Sequence, residues 1–216
     1  TGAAMPSRLG SQQLRDEITA VIELVKNSYD ADATSVRLDF RDSDGELALR
    51  IQDDGSGMTR QDLHEKWAWL ATENKVREDR SPLLKRRRLG QKGVGRFATE
   101  KLGKRLVLRT RVAGQSQVLE VRFQWDELVG DKELTDYTYP IKTRKPEPLE
   151  PEHGTRVDIR QLRIAWKKPN VEKLRAQLAR LIDPEETSTD FAIHLFSPWP
   201  ELNGRLENPL PGKETH

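Results

Sequence analysis

Glu23, Asn27 and Asp30 are separated by steps of four and three residues. On a helix that spacing keeps the three side chains within about 60° of one another. A carboxylate and an amide oxygen aimed at one point suit a hydrated magnesium ion and a water molecule to be deprotonated. The same trio would serve equally as an ordinary solvated face. Asp53 is a second candidate, because it keeps the parity of Leu47, Leu49 and Ile51 and therefore points toward the core side of a strand. An inward carboxylate is costly unless something donates to it. The donor could be a fixed amine on a ligand, or the backbone of the turn Asp54-Gly55-Ser56-Gly57 that follows. Gly55 and Gly57 let that turn close tightly and leave space for a flat ligand.

Gly90, Gly93 and Gly95 precede a short helix expected from Arg96. Backbone N–H groups in such a loop, together with the helix start, form an anion site, although a plain flexible connector would read the same way. The spacing is neither a Walker A loop nor the Rossmann fingerprint. Thr155 shares parity with Val157 and Ile159, so its hydroxyl points inward and needs a partner, either structural or a ligand or water. The basic run Lys85–Arg88 could touch nucleic-acid phosphates, but such runs are more often solvated loops. His64, His153, His194 and His216 show no ligand spacing. The five tryptophans, Trp67, Trp69, Trp125, Trp166 and Trp199, read as packing residues.

The elements that must position these residues can be read from periodicity. Gln12–Asp30 is predicted as an amphipathic helix, with Ser11 as its N-cap and Leu14, Ile18, Val21, Ile22, Val25 and Tyr29 on its apolar side. Two alternating strands follow, through Val36, Leu38 and Phe40 and through Leu47, Leu49 and Ile51, with a hairpin turn at 42–45. Thr59 caps a helix expected to reach Leu70. From Ala71 to Gly95 no period holds, so that stretch is read as a mobile lid. A helix over Arg96–Leu102 leads to strands near Arg105–Val112 and Val118–Trp125, with another at Tyr137–Ile141. Lys145–Pro151 reads as an exposed connection, and Thr155, Val157 and Ile159 mark a strand. A helix over Pro169–Ile182 and a strand through Phe191, Ile193 and Leu195 complete the set. The class is α/β, and hairpin-connected strands make the sheet mixed or antiparallel.

The chain has 216 residues, with 37 basic and 35 acidic side chains for a net charge of +2. One substantial domain fits that length. Zero cysteines exclude a disulfide scaffold, a thiolate metal site and a cysteine nucleophile. No apolar run is long enough for a transmembrane helix, and residues 1–10 lack the apolar core of a secretory signal. They are read as a leader or an artificial remnant, and a cytoplasmic setting is expected. Residues 11–200 are expected to form the domain, with its lid over about 71–95. Residues 201–216 are expected to be a frayed tail linking to a further domain.

Taken in order, these residues resemble the GHKL ATPases: gyrase B, the ninety-kilodalton heat-shock chaperone, histidine kinases and MutL. The stretch from Glu23 through Asn27, Asp30 and Ala31 to Thr34 looks like their first motif. Asp53-Asp-Gly55-Ser-Gly57-Met58 looks like the second, Gly90-Gln-Lys92-Gly93-Val94-Gly95-Arg96-Phe97 the third, and Gly154-Thr155 the fourth. The Asn27-Ser-Tyr-Asp30-Ala31 form is nearer the chaperone and MutL branch than the kinase branch.

The resemblance implies a Bergerat fold, a two-layer α/β (α+β) sandwich with a mixed, largely antiparallel sheet and helices on one face. It implies ATP or ADP and Mg²⁺ as ligands. Glu23 would be the general base and Asn27 the magnesium ligand. Asp53 would accept from the adenine amine, Gly57 would make room for the base and Met58 would pack beside it. Gly90, Gly93 and Gly95 would line the triphosphate, and Thr155 would reach adenine through water. Ala71-Thr72-Glu73-Asn74-Lys75 loosely resembles the MutL lid, which adds Thr72 and Lys75 as ligand candidates. The expected activity is ATP hydrolysis that closes a lid and drives dimerisation, completed by a cation from a following domain. The alternatives are a nucleotide-gated binding module with negligible turnover and a histidine-kinase-type catalytic domain.

Overall fold

The computed structural model describes residues 4–43, 45–64, 80–89, 95–125, 139–147, 150–181 and 191–207, with backbone alone for 4–11 and 95–98. The first helix, α1, runs Ala4–Asp30 and the second element, β1, Ser35–Ser43. β2 covers Glu46–Asp53, α2 Arg60–Leu63 and α3 Gly95–Leu102. β3 is Gly103–Arg111, β4 Val118–Gln124, β5 Lys142–Arg144 and β6 Gly154–Leu162. α4 is Lys168–Ala179, β7 Ala192–Phe196 and β8 Gly204–Arg205.

The strands form one sheet in the order β5-β4-β3-β6-β2-β1-β7-β8. Among the described strands only the β1–β7 pair is parallel; every other neighbouring pair is antiparallel. This is the expected mixed, largely antiparallel sheet. The alternation read from the sequence places Val36, Leu38, Phe40, Leu49, Ile51, Leu106, Leu108, Val121, Phe123, Val157, Ile159, Ile193 and Leu195 on one face, all buried. Ile18, Val21, Leu24, Val25 and Tyr29 of α1, Leu102 of α3 and Val171, Leu174 and Leu178 of α4 join them in one core. Trp125 and Trp166 are buried in it, and Trp199 packs against it. Trp67 and Trp69 lie outside the described residues.

The opposite face carries no described helix and is polar. Asp158 accepts from Arg50 Nε at 2.6 Å, Arg109 Nη1 at 2.7 Å and Arg156 Nε at 2.8 Å. Glu120 accepts from Arg109 and Arg122. These arginines hold both carboxyls below their ordinary values although burial pushes them up. Removing Asp158 would leave Arg50, Arg109 and Arg156 crowded without their shared carboxylate, a loss on the order of 3–5 kcal/mol for a buried pair broken on one side.

Several boundaries differ from the sequence reading. α1 begins at Ala4, so Ser11 lies inside the helix and is no N-cap, and residues 4–10 are helical. The periodic stripe marks which face is buried, not where the helix starts. Thr59 does cap α2, its hydroxyl accepting from the Asp62 N–H and the Asp62 carboxylate accepting from the Thr59 N–H. The expected helix beyond residue 64 lies outside the described residues. The short strand is Lys142–Arg144 rather than Tyr137–Ile141, of which 139–141 are not strand. Residues 203–207 are not frayed: β8 pairs with β7, and Leu206 is buried in the core. The described helices are α1, α3 and α4 of the core layer, with α2 short; none is long and apolar enough to cross a membrane.

Candidate functional site

α1 ends beside the end of β2, and the contact is chemical. Ser28 Oγ donates to Asp53 Oδ2 at 3.0 Å. The N–H groups of Gly55 and Thr155 both donate to Asp53 Oδ1 at 3.0 Å. Asp53 is therefore inward-facing as parity predicts, and the turn, the first helix and β6 all supply it. Its cost of burial is met by the protein itself rather than by a ligand alone. Burial still pushes its pKa up to about 6, against the lowering effect of those three donors. A carboxylate has roughly four lone-pair positions. Oδ1 takes two donors and Oδ2 one, so Oδ2 retains capacity for a further N–H.

The neighbouring turn is tied down in the same manner. Asp54 accepts from the Thr34 N–H and hydroxyl and from the Ser35 N–H. The Ser56 N–H donates to the Ala31 carbonyl at 2.8 Å. His153 Nδ1 donates to the Gly55 carbonyl at 2.8 Å. Thr155 Oγ1 lies 3.1 Å from Thr110 Oγ1, which accepts from the Met58 N–H at 2.8 Å. The inward threonine thus has a protein partner. Gly57 has φ +68°, and a Cβ there would fall 2.2 Å from the Arg111 carbonyl oxygen. Gly154 has φ +117°, and its Cβ would fall 2.1 Å from the Asp53 carbonyl oxygen. Both positions need glycine to let strands approach, independently of any ligand.

Glu23 sits on the same helix, partly buried, and its Oε1 accepts from Lys26 Nζ at 2.9 Å. Asn27, one turn further on, is exposed. Asp30 holds the chain rather than facing the Glu23–Asn27 pair alone, since its Oδ1 accepts from the Leu89 N–H at 2.8 Å. That bond gives it a structural role beside its expected place in the ligand set. Asp32 accepts from the Leu83 and Leu84 N–H groups. Residues 80–89 are thereby fastened to the end of α1, although no periodicity announced it. Within them Arg86 is buried, its guanidinium donating to the Ala33 carbonyl and lying 4.8 Å from the Tyr29 ring centroid. Lys85–Arg88 is therefore not a uniformly solvated basic run.

Gly95 is the first residue of α3, and Arg96 and Phe97 follow it in the helix. Thr72, Lys75, Gly90, Lys92, Gly93 and Val94 lie outside the described residues. The structure thus brings together Ala31, Asp53, Gly55, Gly57, Met58 and Thr155 at the ends of the central strands β2, β6 and β3, with Glu23 and Asn27 on the last turns of α1 that lead to Ser28. Ser28 and Thr110 were missed, yet each left a signal. Ser28 falls on the apolar side of α1 beside Leu24 and Val25, and Thr110 keeps the parity of Leu106 and Leu108.

The sequence profile of the histidine kinase-, DNA gyrase B- and HSP90-like ATPases matches residues 17–155, which holds all four motif segments. The chain belongs to this ATPase family. Within the family, its relatives include DNA mismatch repair protein MutL of Opitutus terrae, 31% identical over 159 residues, covering 72% of this chain and 22% of that protein. MutL of Rhodopseudomonas palustris is 33% identical over 165 residues, 74% of this chain and 24% of its own. This family member thus spans about a quarter of the length of these MutL proteins. A 48-residue stretch is 48% identical to ATPase morc-1 of Caenorhabditis elegans, covering 22% of this chain and 6% of that protein. The Aquifex aeolicus MutL ATPase domain complexed with ADP superposes with a TM-score of 0.53 at 18% identity, over 89% of this chain and 64% of that one. That likeness shows the Bergerat-type fold.

Proposed function

We propose that this GHKL-family chain binds Mg·ATP at the edge formed by the end of α1, the β2 turn and the start of β6, and hydrolyses it in the cytoplasm. The observation that carries the reading is Asp53. It is a buried carboxylate fixed by Ser28, Gly55 and Thr155, with acceptor capacity left on Oδ2. An adenine exocyclic amine is the donor that fits. Met58 and the turn around Gly55 and Gly57 would flank the base, and Thr155 would reach it through water.

The phosphates would run toward the segment Gly90–Gly95, with Lys92, Val94, Arg96 and Phe97 flanking, and toward Thr72 and Lys75. Glu23 would take the proton of a water as its oxygen attacks the γ-phosphorus and the bond to the β–γ bridging oxygen breaks, releasing ADP and phosphate, and Asn27 would present its amide oxygen to the metal. Magnesium, when bound, neutralises charge on the transferring phosphoryl group. No described group of three or more His, Asp or Glu could hold a metal. An ion that arrives on the phosphates and takes one amide oxygen agrees with this. A following domain would supply a cation to the γ-phosphate, and ATP would draw the lid closed and promote homodimerisation.

Calorimetric titration with Mg·ADP and a non-hydrolysable ATP analogue tests the pocket; no binding by folded protein would overturn it. Glu23→Ala tests the chemistry, since it should abolish turnover while analogue binding persists.

A further inference from the structure

The helix-free face of the sheet sorts its charges by depth. Its acidic strand residues Asp39, Glu120 and Asp158 are buried beneath arginines, and only Glu46, beside the hairpin turn, is exposed. The exposed layer is cationic: Arg37, Arg105, Arg122, Lys142, Arg160 and Arg205. A net charge of +2 for the whole chain conceals this, because charge balance over the sequence is not charge balance over a face.

The strand registers align part of this layer. One cross-strand row runs over the whole sheet, with exposed Lys142 on β5, Arg37 on β1 and Arg205 on β8, and with the half-buried Arg109 and Arg156, paired to Glu120 and Asp158, between Lys142 and Arg37. Its other members are Gln52, His194 and the buried Glu120, so no exposed carboxylate interrupts it. Crossing the sheet takes seven inter-strand gaps of ~4.8 Å, or roughly 34 Å, about one turn of B-form duplex.

We propose that this row is a docking surface for the phosphate backbone of duplex nucleic acid, separate from the nucleotide site on the opposite layer. Protein partners are less suited, because a stable protein interface has an apolar centre. Here Val118 is buried and Phe196 is covered by the Arg37 guanidinium, 3.6 Å from its ring centroid. Nucleic-acid interfaces are polar and strongly basic. With no described helix on this face to enter a groove and no exposed aromatic among its described residues to stack a base, contact is to phosphates and is independent of sequence. Arginine, which dominates the row, matches phosphate geometry with its planar fork.

The test is fluorescence anisotropy of a labelled random-sequence 30-base-pair DNA duplex with the full chain, from 50 to 200 mM salt. Arg37→Gln, Lys142→Gln and Arg205→Gln are combined in one variant. The control variant removes as many exposed cations from around α4: Lys167→Gln, Lys173→Gln and Arg180→Gln. Wild type and control should bind alike, while the row variant should lose at least tenfold affinity. Its log–log salt slope should be shallower by about two to three, because each phosphate contact contributes about 0.9. Circular dichroism and Mg·ADP titration of the row variant should match wild type. No duplex binding at 50 mM salt, or equal losses in both variants, would overturn the proposal. So would a poly-glutamate peptide of equal charge that binds as tightly as the duplex.

Discussion

Ser28 Oγ donates to Asp53 Oδ2 at 3.0 Å, joining residues 25 positions apart in sequence. Through this bond the helix that carries Glu23 and Asn27 is positioned against the strand end that carries the buried carboxylate. Asp53→Asn keeps an oxygen to accept the Gly55 and Thr155 N–H groups, and its amide can donate to Ser28. The fold should therefore survive. What is lost is an acceptor at the second atom, so Mg·ADP affinity measured by calorimetry should fall at least tenfold. Ser28→Ala should cost about 1–3 kcal/mol of stability by leaving a buried carboxylate oxygen short of a donor. A chemical denaturation series that shows no loss would remove Ser28 from this role.

Protonation of Asp53 offers a second check. Its pKa stands near 6, raised by burial, and only the ionised form can accept at both oxygens. Adenosine avoids the titration of phosphate groups. Its affinity should be full above about pH 6 and fall roughly tenfold for each unit below it. Asp53→Asn should bind weakly with a flat profile. A wild-type profile that is flat between pH 5 and 7.5 would separate the carboxylate from base recognition.

Glu17 carries a different pH dependence. It is 1% exposed, neither oxygen has a hydrogen-bond partner of good geometry among the described residues, and burial pushes its pKa from 4.5 to about 7. Trp166 and Arg163 nearby only moderate that rise. Because the folded value lies above the unfolded one, its contribution to stability is complete below about pH 4.5. That contribution is lost as pH rises through 7. Glu17→Gln should therefore raise the melting temperature at pH 8 and change it little at pH 5. Asp53 adds a slope of the same sign below about pH 6, so the variant should flatten the curve between about pH 4.5 and 7, most distinctly between pH 6 and 7 where Glu17 alone contributes. Equal shifts at both pH values would mean that Gln acts through packing instead.

Strand parity revealed the core, the inward direction of Asp53 and Thr155, and the class of the sheet, because period-two burial leaves a direct trace in residue type. The four motif segments were legible as well. Their mutual attachments were not. Ser28, Thr110 and His153 act across long sequence separations, and short polar side chains in such places look like ordinary helix, strand or loop residues. The start of α1 was hidden because Ala4–Gly10 lacks the apolar stripe that marks the rest of the helix. The cationic face was invisible in a net charge of +2, since it depends on registers that set one row across the sheet.

The segment 80–89 was read as part of an unstructured lid, yet two aspartates at the end of α1 fasten it. Asp32 accepts from the Leu83 N–H at 2.8 Å and the Leu84 N–H at 3.0 Å, and Asp30 accepts from the Leu89 N–H at 2.8 Å. Burial pushes the Asp32 pKa up, but the Ser81 hydroxyl and these N–H groups outweigh it and hold the carboxyl below its ordinary value. Leu83 and Leu84 are nevertheless exposed, so their apolar side chains contribute little to keeping the turn in place. The carboxylate is the anchor, and local opening should follow its removal. Asp32→Ala should speed trypsin cleavage after Lys85 and Arg87 several-fold while circular dichroism shows the sheet intact. Because charge-assisted bonds to a carboxylate weaken once it is protonated, lowering the pH should loosen the wild-type turn in the same direction. An unchanged cleavage rate in Asp32→Ala would assign the fastening to Arg86 and its bond to the Ala33 carbonyl at 2.6 Å.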